Sequence, residues 1–149
     1  MRPSQRRRAA GAQPGARLNA DLVAWSKRGI EVGAHSRTHA RLTALAPDDM
    51  IGEMQGSKHD LERLVDAPVT TFAYPFGAVD ERVRDAAAGT FEAAFTIEEG
   101  LNTLATDPLM LRRSVVQPTD TTLDVFFRLR LGWSPLDRVR RRLAPQRVR

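Results

Sequence analysis

Residues 31–42 read EVGAHSRTHARL. A short β-compatible run, Ile30–Ala34, ends directly at His35, and His39 follows four positions later. The end of a strand is where α/β proteins usually place their chemistry. On one helical turn, two imidazoles at this spacing would point the same way and could share a metal ion. The plain alternative is two solvated histidines. The residues of this stretch alone leave both open, so the elements around it have to be read.

Downstream, Met50, Ile51, Met54, Ser57, Leu61, Leu64 and Val65 recur at helical spacing, which predicts one apolar stripe over about four turns. Pro47 suits the first turn of that helix, and Asp48 and Asp49 favour its positive end. The two methionines sit at core spacing, and His59 falls off the stripe, so it reads as a surface residue. Pro68 closes the helix. The run Val69–Tyr74 then reads as a buried strand, PFGAVD as the turn after it, residues 79–88 as a short helix, Phe91–Ile97 as a strand, and Leu109–Val116 as another. Thr121–Leu131 reads as a helix carrying Leu123, Phe126, Phe127 and Arg130. Upstream, Leu18, Leu22 and Trp25 predict a helix with Asn19 as its cap and Gly29 as its stop. Strands alternating with helices predict an α/β fold with parallel pairing, in a layer or a barrel.

Composition narrows the function. There is no cysteine among the 149 residues, which excludes disulfides, thiolate metal sites and thiol nucleophiles. Phosphate-binding glycine loops and the Gly-x-Ser-x-Gly elbow are also missing. The formal charge of +5 belongs to the two ends. Arg6–Arg8 lie in a leader, residues 1–16, that reads as disordered and basic. Arg138, Arg140–Arg142, Arg147 and Arg149 lie in a basic C-terminal helix or tail, residues 134–149, with Leu136, Val139 and Leu143 on its other side. These ends read first as solvated tails, with an anionic membrane surface as the alternative partner. No aromatic residue interleaves with Arg138–Arg142, which counts against nucleic acid. No apolar run reaches the length of a membrane span or a secretory signal, so the expected location of the chain as it stands is cytoplasmic.

The stretch GIEVGAHSRTHARLTAL resembles the second motif of the polysaccharide deacetylase family, His-Ser/Thr-x-x-His behind a Glu-Ile/Val-Gly strand. FAYPFG (Phe72–Gly77) resembles its third motif. AAFTIEEGLNT and PLMLRRSVV resemble the later strand, turn and Leu-x-Arg strand. The likeness covers residues 17–133, with four blocks in order.

The resemblance implies a partial, distorted β/α barrel and hydrolysis of N-acetyl groups on a carbohydrate. It implies a divalent metal, with zinc the expected ion, held by His35 and His39. It also implies a substrate wall of Tyr74, Pro75, Phe76 and Gly77, with Arg113 orienting the catalytic carboxylates. The family's first motif, an Asp-Asp turn before the histidines, has no counterpart: the acids before His35 are Asp21 and Glu31. No histidine follows His59, so the late proton donor is also without a match. The expectation is therefore a barrel lacking its first strands, N-terminally truncated, holding its metal loosely and impaired in catalysis. The other expectation is a non-catalytic remnant that binds a glycan or a partner. An unpaired sheet edge would favour self-association, and a full-length family member could be associated with the cell envelope.

Overall fold

The computed structural model describes residues 14–137. Four positions run side by side as a small parallel sheet. Strand β1 (Thr71–Ala73) pairs in parallel with β2 (Ala93–Phe95), in the register Thr71↔Ala93, Phe72↔Ala94 and Ala73↔Phe95. Ala34 bridges Phe72 on one side, and Leu111 bridges Phe95 on the other, both in parallel. The expected strands at 30–34 and 109–116 are thus reduced to single bridges. For the second the reason is local. Pro108 opens a 3₁₀ turn, Pro108–Met110, and Asp107 caps it by accepting from the Leu109 amide. A residue held in that turn cannot extend into a ladder.

Side chains of two helices, residues 47–65 and 81–88, pack on one face of the sheet. Helix α1 (Pro14–Lys27) packs against α2 (Pro47–Val65). α1 begins at Pro14, so Asn19 lies inside it and does not cap it. Residues 1–13 of the expected leader lie outside the described residues, as does 138–149 of the basic C-terminal segment. α2 starts on Pro47 as expected. It ends where Asp66 turns left-handed and donates its amide to Glu62 O. Its stripe buries Met50, Met54, Ser57 and Val65, while Ile51 stays outside. His59 is exposed.

Helix α3 (Glu81–Ala88) starts on Asp80, whose carboxylate accepts from the Val83 amide at 2.9 Å. Its Val83 and Ala87 join Met50 and Met54 against Phe72, Tyr74, Phe91 and Ala94 to make the core. The pleat sends Phe72 and Ala94 into this core and leaves their neighbours half-buried, as period-two alternation requires.

The opposite sheet face is open. Glu31, Gly33, His35, Thr71, Ala73 and Phe95 border a depression of about 350 Å³ on it.

Helix α4 (Thr122–Leu131) follows a capping box, in which Thr121 and Asp124 each accept from the other's amide. It stops at Gly132, φ +79°, where a Cβ would overlap the backbone of Gly100 and Leu101. None of the helices among the described residues is long and apolar enough to cross a membrane.

Candidate functional site

All strands of the sheet run the same way, so the segments after Ala34, Ala73, Phe95 and Leu111 leave it at one edge. That edge gathers the sequence's candidates: His35 and His39, then Tyr74–Gly77, and finally Arg113. The carboxyl ends of parallel strands are the usual place for an α/β site.

The histidines are not on a helical turn. They stand in the loop between Ala34 and the 3₁₀ turn Leu42–Ala44. Ser36 and His39 both adopt left-handed backbone, with φ +60° and +59°, a costly state for residues other than glycine. The two turns fold the loop back, so the imidazoles approach with ring centroids 4.8 Å apart, edge to face. A helix would have brought the pair together through its period, whereas here strain in the loop does so.

What holds that strain is Glu53, on α2. Its Oε2 accepts the Arg37 and Thr38 amides, each at 2.9 Å, and its Oε1 accepts the Thr38 hydroxyl at 3.0 Å. Desolvation raises the Glu53 pKa, but the Thr38 and Arg37 donors outweigh it and hold the carboxyl below its ordinary value. Arg37 is itself held by Asp60, Nε to Oδ2 at 2.8 Å. Sequence reading missed Glu53. It sits on the α2 helix but off the apolar stripe, and nothing in the spacing links it to Thr38.

His35 has a fixed tautomer. Its Nδ1 lies 2.6 Å from the carbonyl oxygen of Ala73. A carbonyl only accepts, so Nδ1 carries a proton, and in the neutral imidazole Nε2 is then the nitrogen with the lone pair. A backbone partner of this kind is what orients a metal-binding imidazole. His39 in turn meets the Phe76 ring, centroids 4.5 Å apart.

The wall residues divide. Phe76, left-handed at φ +58° and 53% exposed, presents its ring beside His39. Gly77 follows at φ +63°, close under the Ile97 side chain, where a Cβ would collide. Tyr74 and Pro75 do not form a wall. Both are buried, and the Tyr74 hydroxyl donates to Leu109 O at 3.0 Å. Burial, with a smaller contribution from Asp107, pushes that phenol up to about 12, so it does not ionise near neutral pH. Arg41, which sequence reading passed over, lies with its guanidinium 5.1 Å from the Phe76 ring centre. Arg113 is exposed; its amide donates to Glu98 O, and its side chain makes no ion pair with a described residue.

Two imidazoles make half of a metal centre. Among the described residues no carboxylate completes a three-ligand group with them. The one acidic cluster found there is Asp120, Asp124 and Asp137. That cluster already surrounds a cation. Arg128 Nε donates to Asp120 Oδ2 at 2.9 Å, and its Nη2 donates to Asp137 Oδ2 at 2.9 Å. The residues therefore fit a divalent metal at His35 and His39 in nitrogen donors and lack the oxygen donor.

The sequence profile of the polysaccharide deacetylase family matches residues 10–90, more than half of the chain. The chain belongs to this family. Members of the family generally use a divalent metal.

The fold agrees. BC0361, a polysaccharide deacetylase from Bacillus cereus, is similar over 69% of this chain, with 29% identity and a TM-score of 0.63. The BA0330 protein of Bacillus anthracis matches over the same 69% with 28% identity and TM-score 0.63. The deacetylase PplD of Streptococcus pyogenes, solved in complex with acetate, matches 68% of the chain with a TM-score of 0.65; at 24% identity that likeness concerns the fold. The chain spans 33%, 33% and 45% of the lengths of these structures in turn. The architecture is accordingly part of a deacetylase-type fold. No curated protein matches the chain significantly in sequence.

Proposed function

We propose that His35 and His39 are the nitrogen ligands of a divalent metal, zinc being the first choice, in a site that removes acetyl groups from N-acetylated carbohydrate. The observation that carries this is the Nδ1 bond from His35 to Ala73 O, which orients that ring with the His39 ring centre 4.8 Å away. A metal bound there supplies a Lewis acid for the acetamide carbonyl. The rest falls to the chain. The Phe76 ring offers a flat apolar contact beside the pair, suited to a sugar face or an acetyl methyl. Arg113, at the same sheet edge and exposed, is free to orient a carboxylate brought to the site. Glu53 keeps the histidine loop in its strained form.

The carboxylate that would complete the metal shell and the base that would take a proton from water are not at the pair among the described residues. That absence supports a second reading, in which the same surface binds a glycan or a partner without turning it over.

Calorimetric zinc titration tests the first reading. The 149-residue chain should take up one zinc. His35→Ala and His39→Ala should each weaken uptake by about tenfold or more, as removal of a direct ligand does. If both variants bind zinc as the parent does, the assignment is wrong.

A further inference from the structure

Helix α4 is packed with its charged side inward. Asp124 and Arg128 are buried, while Leu123, Phe126 and Leu129 are 52%, 50% and 75% exposed. At the helical period these three share about a third of the circumference, opposite the buried pair. Specific bonds hold this orientation. Arg128 is held by Asp120 and Asp137, and Asp124 accepts the Ser134 hydroxyl at 2.7 Å besides closing the capping box. Rotating the helix to hide its leucines would strip a buried arginine of its carboxylates, which costs more than the apolar contact returns.

The outer face also carries a cation. Arg130 lies on it, its guanidinium 5.7 Å from the Phe126 ring centre. The sequence then supplies Arg138, Arg140, Arg141, Arg142, Arg147 and Arg149 with no acidic residue between them. An apolar helix face followed in the sequence by a polybasic stretch combines the two features that reversible attachment to an anionic bilayer requires: insertion at the acyl boundary and attraction to phosphate headgroups. A purely apolar protein partner would answer the leucines and leave these arginines without counter-charge.

The geometry points to an anionic lipid bilayer as what covers this face. Leu123, Phe126 and Leu129 enter the headgroup–acyl boundary, Arg130 stays at phosphate level, and the arginines after Asp137 supply the attraction. This role is independent of the histidine site and stands whether or not that site is catalytic.

Co-sedimentation of the 149-residue chain with vesicles tests it, using phosphatidylglycerol-containing vesicles against pure phosphatidylcholine. The chain should bind the anionic vesicles and release at high salt. Leu129→Asp and Phe126→Asp should each lower binding by about tenfold or more, with the circular dichroism unchanged because both side chains are already outside. Replacing Arg140, Arg141 and Arg142 by glutamine should lower it as well. Three results overturn the proposal. One is no binding to anionic vesicles. Another is binding that ignores Leu129→Asp and Phe126→Asp, which would leave the arginines acting alone. The third is a self-associated species that those substitutions dissolve without any effect on vesicle binding, which would make a second copy the occupant.

Discussion

Glu53 carries more of the site than its position in the sequence suggests. It accepts from two amides and one hydroxyl of the Arg37–Thr38 segment, and the histidines flank that segment with Ser36 and His39 in left-handed backbone. Glu53→Gln keeps the size and loses the charge and one acceptor, so the loop should relax toward ordinary backbone angles. The imidazoles would then be less well aligned. Zinc affinity should fall by about tenfold, the usual effect of losing a residue that positions a ligand, with the fold intact by circular dichroism. Unchanged affinity in Glu53→Gln would mean that the loop holds its shape without this carboxylate. The pH dependence has a definite sign. The Glu53 pKa is lower folded than unfolded, so its stabilisation is present above the ordinary glutamate value and disappears as pH falls through the folded value. The parent chain should therefore lose more stability on acidification than Glu53→Gln does, in urea melts across that range. At this scale the nearness of the two histidines was legible from their spacing, although a strained loop and not a helical turn brings the rings together. Glu53 was not, because its contact exists only after two residues have turned left-handed.

Among the elements, α2 was legible and α4 only half so. α2 has every signal in register: Pro47 at its start, two aspartates in the first turn, a stripe of Met50 and Met54, and Pro68 beyond its end. For α4, the Thr121–Asp124 cap and Gly132 mark the ends, but the apolar residues do not mark the inner face. Periodicity assumes that hydrophobic residues pack inward, and here an ion-pair network wins that position. Arg128 and Asp120 have side chains only 4% and 1% exposed, and Asp137 shares the guanidinium. Arg128→Met should leave Asp120 and Asp137 close together without their cation, and α4 should detach while α2 and the sheet persist. Hydrogen exchange should then accelerate across 122–131 well above the change in 47–65. Equal exchange in both helices would show that α4 is held by something other than Arg128. The expected strand at 109–116 is reduced to the Leu111 bridge for a different, local reason. Pro108 and the Asp107 cap commit its start to a 3₁₀ turn.

For the whole molecule, the motif blocks pointed to the family whose profile matches residues 10–90, and the small parallel sheet agrees with it. The open face of that sheet was not legible. It borders a depression lined by Thr71, Ala73, Phe95 and His35, and only tertiary packing determines what lies against it. This bears directly on activity. Amide hydrolysis needs an activated water and a proton acceptor set against it, and a positioned base is worth about a hundred- to ten-thousand-fold. The acids nearest in the sequence to this role have other duties. Asp80 caps α3, and Asp107 is held by the Leu109 amide and by Arg84 at 2.9 Å. Asp21 is an exposed residue of α1. The 149 residues by themselves should therefore release acetate from N-acetylglucosamine oligomers slower by about that same factor than a complete site would. If the site takes its carboxylate from an Asp-Asp turn, a fusion carrying an apolar strand and such a turn ahead of residue 14 should supply it to the histidines. Acetate release should rise in that fusion and vanish again with His35→Ala or His39→Ala. Rapid, zinc-dependent release by the unfused chain would show that the base is already present, and Asp21→Asn, Asp80→Asn and Asp107→Asn would then locate it.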